Sequence, residues 1–287
     1  MNKSDIKKRL ILGSANFSQK YGAENNKIHI TEIKKILNLA KLNNINQIDT
    51  ADSYLKDSSI FRHIKKKFIF ITKIKPDSKW NCINYCEKKI KNQIKKLNYN
   101  KIQTLLFHDV KVLYSKSGPV IFNNLVRLKE KGYFKKIGVS IYDTKCLKFL
   151  TSKYKIDVVQ CPYNILDRRI IETKWLNKLK KRGIEIHVRS IFLQGLLSNK
   201  NIYKKKYFIK WKKKIANWFS YLKNNHITPV EYCLNDLLKY DFDQIIVGIN
   251  KCDNLREILN FKLLKNADKM VNLSIKDNKL IDPRKWK

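Results

Sequence analysis

Gln47-Ile48-Asp49-Thr50-Ala51-Asp52-Ser53-Tyr54 decides the fold when read with Phe68-Ile69-Phe70-Ile71-Thr72-Lys73 and Thr104-Leu105-Leu106-Phe107-His108. Each stretch holds a short apolar run that stops on a polar residue: Asp49, Lys73 and His108. Strands buried on both faces of a parallel sheet read as continuous apolar runs of this kind. In an α/β barrel the chemistry lies at the carboxyl ends of such strands. Tyr54 follows five residues after Asp49. An acid, a base, a phenol and an imidazole are therefore expected at one mouth. That set can protonate a carbonyl oxygen, which points to a reductase.

Strand-like and helix-like segments alternate on either side of these runs. Leu10 to Phe17 reads as the first strand. Thr31 to Asn43 reads as a helix, with Ile33, Ile36, Leu37, Ala40 and Leu42 at helical spacing and Thr31 as N-cap. A shorter helix is expected around Ser58 to Lys66, and a longer one from Asn81 to Leu97. Pro119 to Lys131 is a helix with proline at its start and Gly132 as C-cap. Lys136 to Ser140, Asp157 to Cys161, Glu185 to Arg189 and Gln244 to Val247 complete the strands. The helices between them are Thr144 to Thr151, Lys174 to Lys181, Phe208 to Asn224 and Pro229 to about Lys239. A last helix spans Asp253 to Phe261. Eight strand–helix units in 287 residues predict a (β/α)8 barrel in one domain over residues 1–287, with a polar tail from about residue 262 wrapped on the outside. A doubly wound sheet would want a glycine-rich phosphate turn after the first strand. Gly13-Ser14-Ala15-Asn16 lacks that spacing.

The 62 basic and 24 acidic residues give a net charge of +38. Such an excess raises the question of polyanionic partners. Lysine is spread over nearly every predicted helix rather than gathered in one arm, so nucleic acid is expected to bind only through non-specific charge. Asn201 to Lys214 interleaves Tyr203, Tyr207, Phe208 and Trp211 with seven lysines. It reads as a solvated basic helix, as a contact for cofactor or phosphorylated substrate, or as a single-strand binder. The six cysteines, Cys82, Cys86, Cys146, Cys161, Cys233 and Cys252, form no CxxC pair and no matched metal set, so buried reduced thiols and no metal are expected. There is no signal-peptide pattern and no apolar stretch of spanning length, so a cytoplasmic location is expected.

Asp49-Thr50-Ala51-Asp52-Ser53-Tyr54, Thr72-Lys73 and Phe107-His108 resemble the catalytic motifs of the aldo/keto reductases. The resemblance continues through Ile137-Gly138-Val139-Ser140, Val158-Val159-Gln160-Cys161-Pro162-Tyr163-Asn164, Phe192-Leu193-Gln194-Gly195-Leu196-Leu197 and Ile246-Val247-Gly248. It covers about Leu10 to Leu259 and implies a barrel that binds a nicotinamide cofactor without a Rossmann domain. Tyr54 would protonate the carbonyl oxygen of an aldehyde or ketone while the nicotinamide supplies hydride. Lys73 would favour the phenolate, Asp49 would hold Lys73 charged and in place, and His108 would donate to the same oxygen. Ser140 and Gln160 would bond the nicotinamide carboxamide. Gly195, Leu197, Gly248, Lys251 and Arg256 would lie along the rest of the cofactor.

Three positions depart from the family pattern. Ile141 stands where many relatives carry Asn. Arg189 stands where many have a Tyr that stacks on the nicotinamide, a task a guanidinium plane can also perform. Asn254 occupies the usual place of an Arg that meets a 2′-phosphate. NADP(H) remains the implied cofactor, with NAD(H) as the alternative. The basic rim points to a sugar or nucleotide-sugar carbonyl as substrate. The rival reading is a cofactor-binding redox sensor with little turnover.

Overall fold

A computed structural model describes residues 3–18, 23, 28–55, 60, 68–99, 102–265 and 273–286. Eight parallel strands close into a barrel in sequence order. They are β1 (Leu10–Gly13), β2 (Gln47–Asp49), β3 (Ile69–Ile74), β4 (Ile102–Phe107), β5 (Phe134–Ser140), β6 (Val158–Pro162), β7 (Glu185–Arg189) and β8 (Gln244–Gly248). Closure comes from β1 pairing with β8, with Leu12 opposite Val247 and Gly13 opposite Gly248. The expected (β/α)8 architecture is the observed one.

Successive residues in a strand face opposite sides, and two apolar clusters follow from that alternation. Ile11, Ile71, Leu106, Val158 and Ile246 form the cluster on one face. Their neighbours Leu10, Leu12, Phe70, Leu105, Phe107, Ile245 and Val247 belong to the larger cluster that includes the helices. Gly138 in β5 is needed where strands crowd. A Cβ there would lie 2.1 Å from Val158 O and 2.9 Å from Leu106 Cδ2. Gly138→Ala should therefore overpack the barrel and cost about 3 kcal/mol or more, read as a lower urea midpoint with an unchanged slope.

The helices that bear on the site are α1 (Lys3–Arg9), α2 (Ile30–Leu42), α3 (Ile83–Lys96), α4 (Gly118–Glu130), α5 (Leu147–Lys153), α6 (Trp175–Lys181), α7 (Lys212–Asn224), α8 (Pro229–Leu237), α9 (Cys252–Asn260) and α10 (Asn278–Ile281). Thr228 and Glu231 cap α8 reciprocally, Glu231 N donating to Thr228 Oγ1 at 3.1 Å and Thr228 N to Glu231 Oε2 at 2.9 Å. Two local expectations change and a third is not tested. The first strand stops at Gly13 rather than Phe17, because Ser14 N and Oγ both turn to Asp49 O, at 2.9 and 3.0 Å. The N-cap of α2 is His29, so Thr31 lies inside the helix. The helix expected around Ser58 to Lys66 lies outside the described residues, apart from Ile60.

The tail is not merely wrapped outside. Leu280 and Ile281 are fully buried in a third cluster with Leu193, Leu196, Phe208, Trp218 and Tyr232. The apolar pair is short and sits among charges, which hid it in a compositional reading. The aromatics of Asn201 to Lys214 turn the same way. Phe208 is buried against Trp286, Tyr203 stacks on Phe219, and Tyr207 packs on Trp211. Among the described residues they form part of a core edge and not a row of open rings for bases.

Candidate active site

Three consecutive strands end on the polar residues of the opening motifs. Asp49 is the last residue of β2, Lys73 lies one residue before the end of β3, and His108 follows β4 directly. Tyr54 reaches the same place from a 3-10 turn over Asp52–Tyr54, entered through Ala51. Lys73 Nζ donates to Asp49 Oδ2 at 2.5 Å and to Thr50 O at 3.0 Å, both within the buried interior. The ammonium lies 6.0 Å from the centre of the Tyr54 ring, and that ring meets His108 edge-on at 5.9 Å and 84°. The four residues line one cavity of about 510 Å³.

The remaining Asp49 oxygen is held from below. Gln160 Nε2 donates to Asp49 Oδ1 at 2.8 Å, and Ser140 Oγ donates to Gln160 Oε1 at 3.3 Å. A chain Ser140–Gln160–Asp49–Lys73 thus crosses the barrel from β5 to β3. Gln160 is fully buried under the cavity and does not line it. Its amide fixes the carboxylate that fixes the lysine.

Burial pushes the Lys73 ammonium below its usual range, the Asp49 carboxylate pushes it back up, and Arg189 adds a downward push. Burial and the charges of Lys73 and Arg189 lower His108 to about 4. His108 is therefore neutral near pH 7 and offers a neutral ring N–H or lone pair. Between the unfolded value near ~6.5 and about 4, the unfolded chain binds a proton that the folded chain refuses. Stability from this site is present above that window and is lost as pH falls through it. Acid unfolding of His108→Asn should thus be shallower than that of the parent between those limits, as followed by circular dichroism.

Of the other expected cofactor residues, Ser140, Arg189, Gly195, Gly248 and Lys251 line the cavity. Two do not. Leu197 is buried in the third cluster, with the tail residues Leu280 and Ile281, where its carbonyl accepts Trp218 Nε1 at 3.1 Å. Arg256 points outward and bonds Asp253 Oδ1 at 2.6 Å. The loop from Ser190 to Gly195 is bent sharply: Ser190, Leu193 and Gln194 all take left-handed φ, at 62°, 45° and 52°. Each such non-glycine residue costs on the order of 1–2 kcal/mol. The bends set Gln194, Gly195 and Ser198 along the cavity.

Some lining residues carried no signal in the sequence. Tyr142, two residues past β5, is contacted by Arg189 at 4.1 Å and by Arg284 of the tail at 3.4 Å from its ring centre. Asn16 donates to Ile249 O and Asn250 Oδ1, and its own Oδ1 is buried without a partner among the described residues. Glu257 lines the outer end. Tyr142 comes from a short loop and Asn16 from a single helical turn over Ala15–Ser18, both too short for a periodic pattern, and Glu257 is one charge among many on a polar helix. No group of acidic, histidine or cysteine side chains suited to a metal occurs among the described residues, and no described helix is long and apolar enough to cross a membrane.

The cavity fits a nicotinamide dinucleotide on three observations. Ser140 lines it with its hydroxyl, Asn16, another lining residue, keeps a buried Oδ1 without a partner among the described residues, and a Cβ on Gly248 would project into open space.

The family model of the aldo/keto reductases matches residues 9–277. No curated protein matches the chain. Among solved structures, an aldo-keto reductase from Bacillus halodurans in its holo form is 18% identical, with a TM-score of 0.71 over 97% of this chain and 92% of that one. A thermostable aldo-keto reductase in complex with the inhibitor epalrestat is 21% identical, with a TM-score of 0.67 over 91% of this chain and 93% of that one. At such identities the structural likeness concerns the fold. The match across nearly the whole length, on a barrel whose strand ends gather Asp49, Lys73, His108 and the neighbouring Tyr54, places this chain in the aldo/keto reductase family.

Proposed function

We propose that the chain reduces an aldehyde or ketone to an alcohol with NAD(P)H, Tyr54 giving the proton to the carbonyl oxygen. The observation that carries this reading is the buried Lys73–Asp49 pair beside Tyr54 and His108 in one cavity. When bound, the dinucleotide supplies hydride. Lys73 stabilises the phenolate left when Tyr54 gives up its proton. Asp49 and Gln160 keep the ammonium aimed. Neutral His108 orients the carbonyl oxygen by hydrogen bonding. Ser140 positions the nicotinamide ring, and that orientation is worth more than the bond itself.

The substrate we favour is a sugar or nucleotide-sugar carbonyl. Arg189 lines the cavity and has no carboxylate partner among the described residues. Its guanidinium donates to Ile141 O at 3.0 Å and to Ser190 Oγ at 3.3 Å. A phosphate or sugar hydroxyl can use its remaining donors. We place the enzyme in the cytoplasm, where reduced dinucleotides are available and thiols such as Cys161 and Cys233, buried in this fold, stay reduced. The test is a panel of simple aldehydes, keto sugars and nucleotide-linked keto sugars, each with NADH and with NADPH, followed by loss of nicotinamide absorbance. Tight dinucleotide binding with no turnover across the panel would favour a redox sensor instead.

A further inference from the structure

The outer end of the cavity makes a second choice. Helix α9 packs on α2 outside the strand ring, and Lys251, Asn254, Glu257 and Ile258 wall the cavity there. If the nicotinamide reaches Ser140, as the reductase reading requires, the adenosine ribose lies at this end. NADPH differs from NADH by a phosphate on that ribose. A dianion of this kind needs free N–H donors and unpaired cations.

Those groups are largely spent. The first amide of α9, Cys252 N, already donates to Glu32 Oε1 at 2.6 Å. Asn254 N donates to Lys251 O at 3.0 Å, and Asn254 Oδ1 accepts Lys251 N at 3.1 Å. Arg256 is paired with Asp253, and Lys35 lies 3.6 Å from Glu32. Lys251 is the one cation of this wall without a carboxylate partner among the described residues. Against it stands Glu257, a carboxylate in the cavity wall with no hydrogen bond or ion pair among the described residues.

We infer that Glu257 and Glu32 make this chain select NADH over NADPH. Glu257 accepts hydrogen bonds from the ribose 2′- and 3′-hydroxyls, the way an acidic residue reads that diol in other dinucleotide sites. Glu32 fills the helix terminus a phosphate would need and repels it by charge. The preference is the reverse of the one expected from the family default with Lys251 and Arg256. It rests on the reductase reading for the direction in which the dinucleotide lies.

Titration calorimetry of the full chain tests it, using NADH and NADPH together with ADP-ribose and its 2′-phosphate. NADH should bind about tenfold or more tightly than NADPH, with the same ranking for the two fragments. Glu257→Gln, on an exposed position, and Glu32→Gln, which weakens the occupant of the Cys252 amide, should each narrow the gap by raising affinity for the 2′-phosphorylated ligands. Thermal melting shows whether Glu32→Gln is folded, and Glu257→Gln decides if it is not. NADPH binding as tight as NADH, or a preference for NADH that Glu257→Gln leaves intact, overturns the inference. Tighter NADPH binding with aldehyde turnover overturns it alone. Binding of neither dinucleotide overturns the reductase reading along with it.

Discussion

Tyr54→Phe is expected to lower turnover by about 10²- to 10⁴-fold while dinucleotide affinity barely moves. The substitution removes one oxygen. The ring keeps its edge contact with His108 at 5.9 Å and its place 6.0 Å from the Lys73 ammonium, so packing around the site is conserved. The loss belongs to the step that moves the proton, and it should appear in single-turnover rates as well as in kcat. Near-full turnover in a folded Tyr54→Phe protein would remove Tyr54 from the chemistry and make His108 the candidate acid.

Lys73→Met should be as damaging to turnover and, unlike Tyr54→Phe, should also weaken the fold. Asp49 loses a partner at 2.5 Å and, among the described residues, keeps the Gln160 amide at 2.8 Å on its other oxygen. A carboxylate left in that position without its cation costs about 3–5 kcal/mol, measured by urea unfolding. Adding Asp49→Asn should recover most of the stability and none of the activity, because the unpaired charge is gone but the ammonium is still missing. Tyr54→Phe and Lys73→Met should not multiply in the double variant, since both act on one proton transfer. Multiplicative losses would mean that the two residues serve separate steps.

The strand ends were legible in the chain because the physics there is local. An apolar run of β length that stops on Asp49, Lys73 or His108 names both the buried strand and the polar mouth. The boundaries were less legible where a side chain intervenes. Ser14 ends β1 by bonding Asp49 O, and that acceptor is supplied by a strand 35 residues away. The apolar pair Leu280–Ile281 is too short to register as an element, yet it is buried once the tail meets α7.

By itself, then, the sequence determined the barrel, the order of its strands and the residues gathered at its mouth, since periodicity and strand-end chemistry depend only on near neighbours. Tertiary structure alone decided how those residues are wired and what surrounds them. It set Gln160 under Asp49, laid Arg189 and Arg284 against Tyr142, placed Glu32 on the amide of Cys252 across 220 positions, and turned Leu197 and Arg256 away from the cavity. Those are contacts between distant segments. They exist only after the barrel closes, when each polar group in a crowded, partly dry mouth must find its partner among the side chains that the fold happens to bring near.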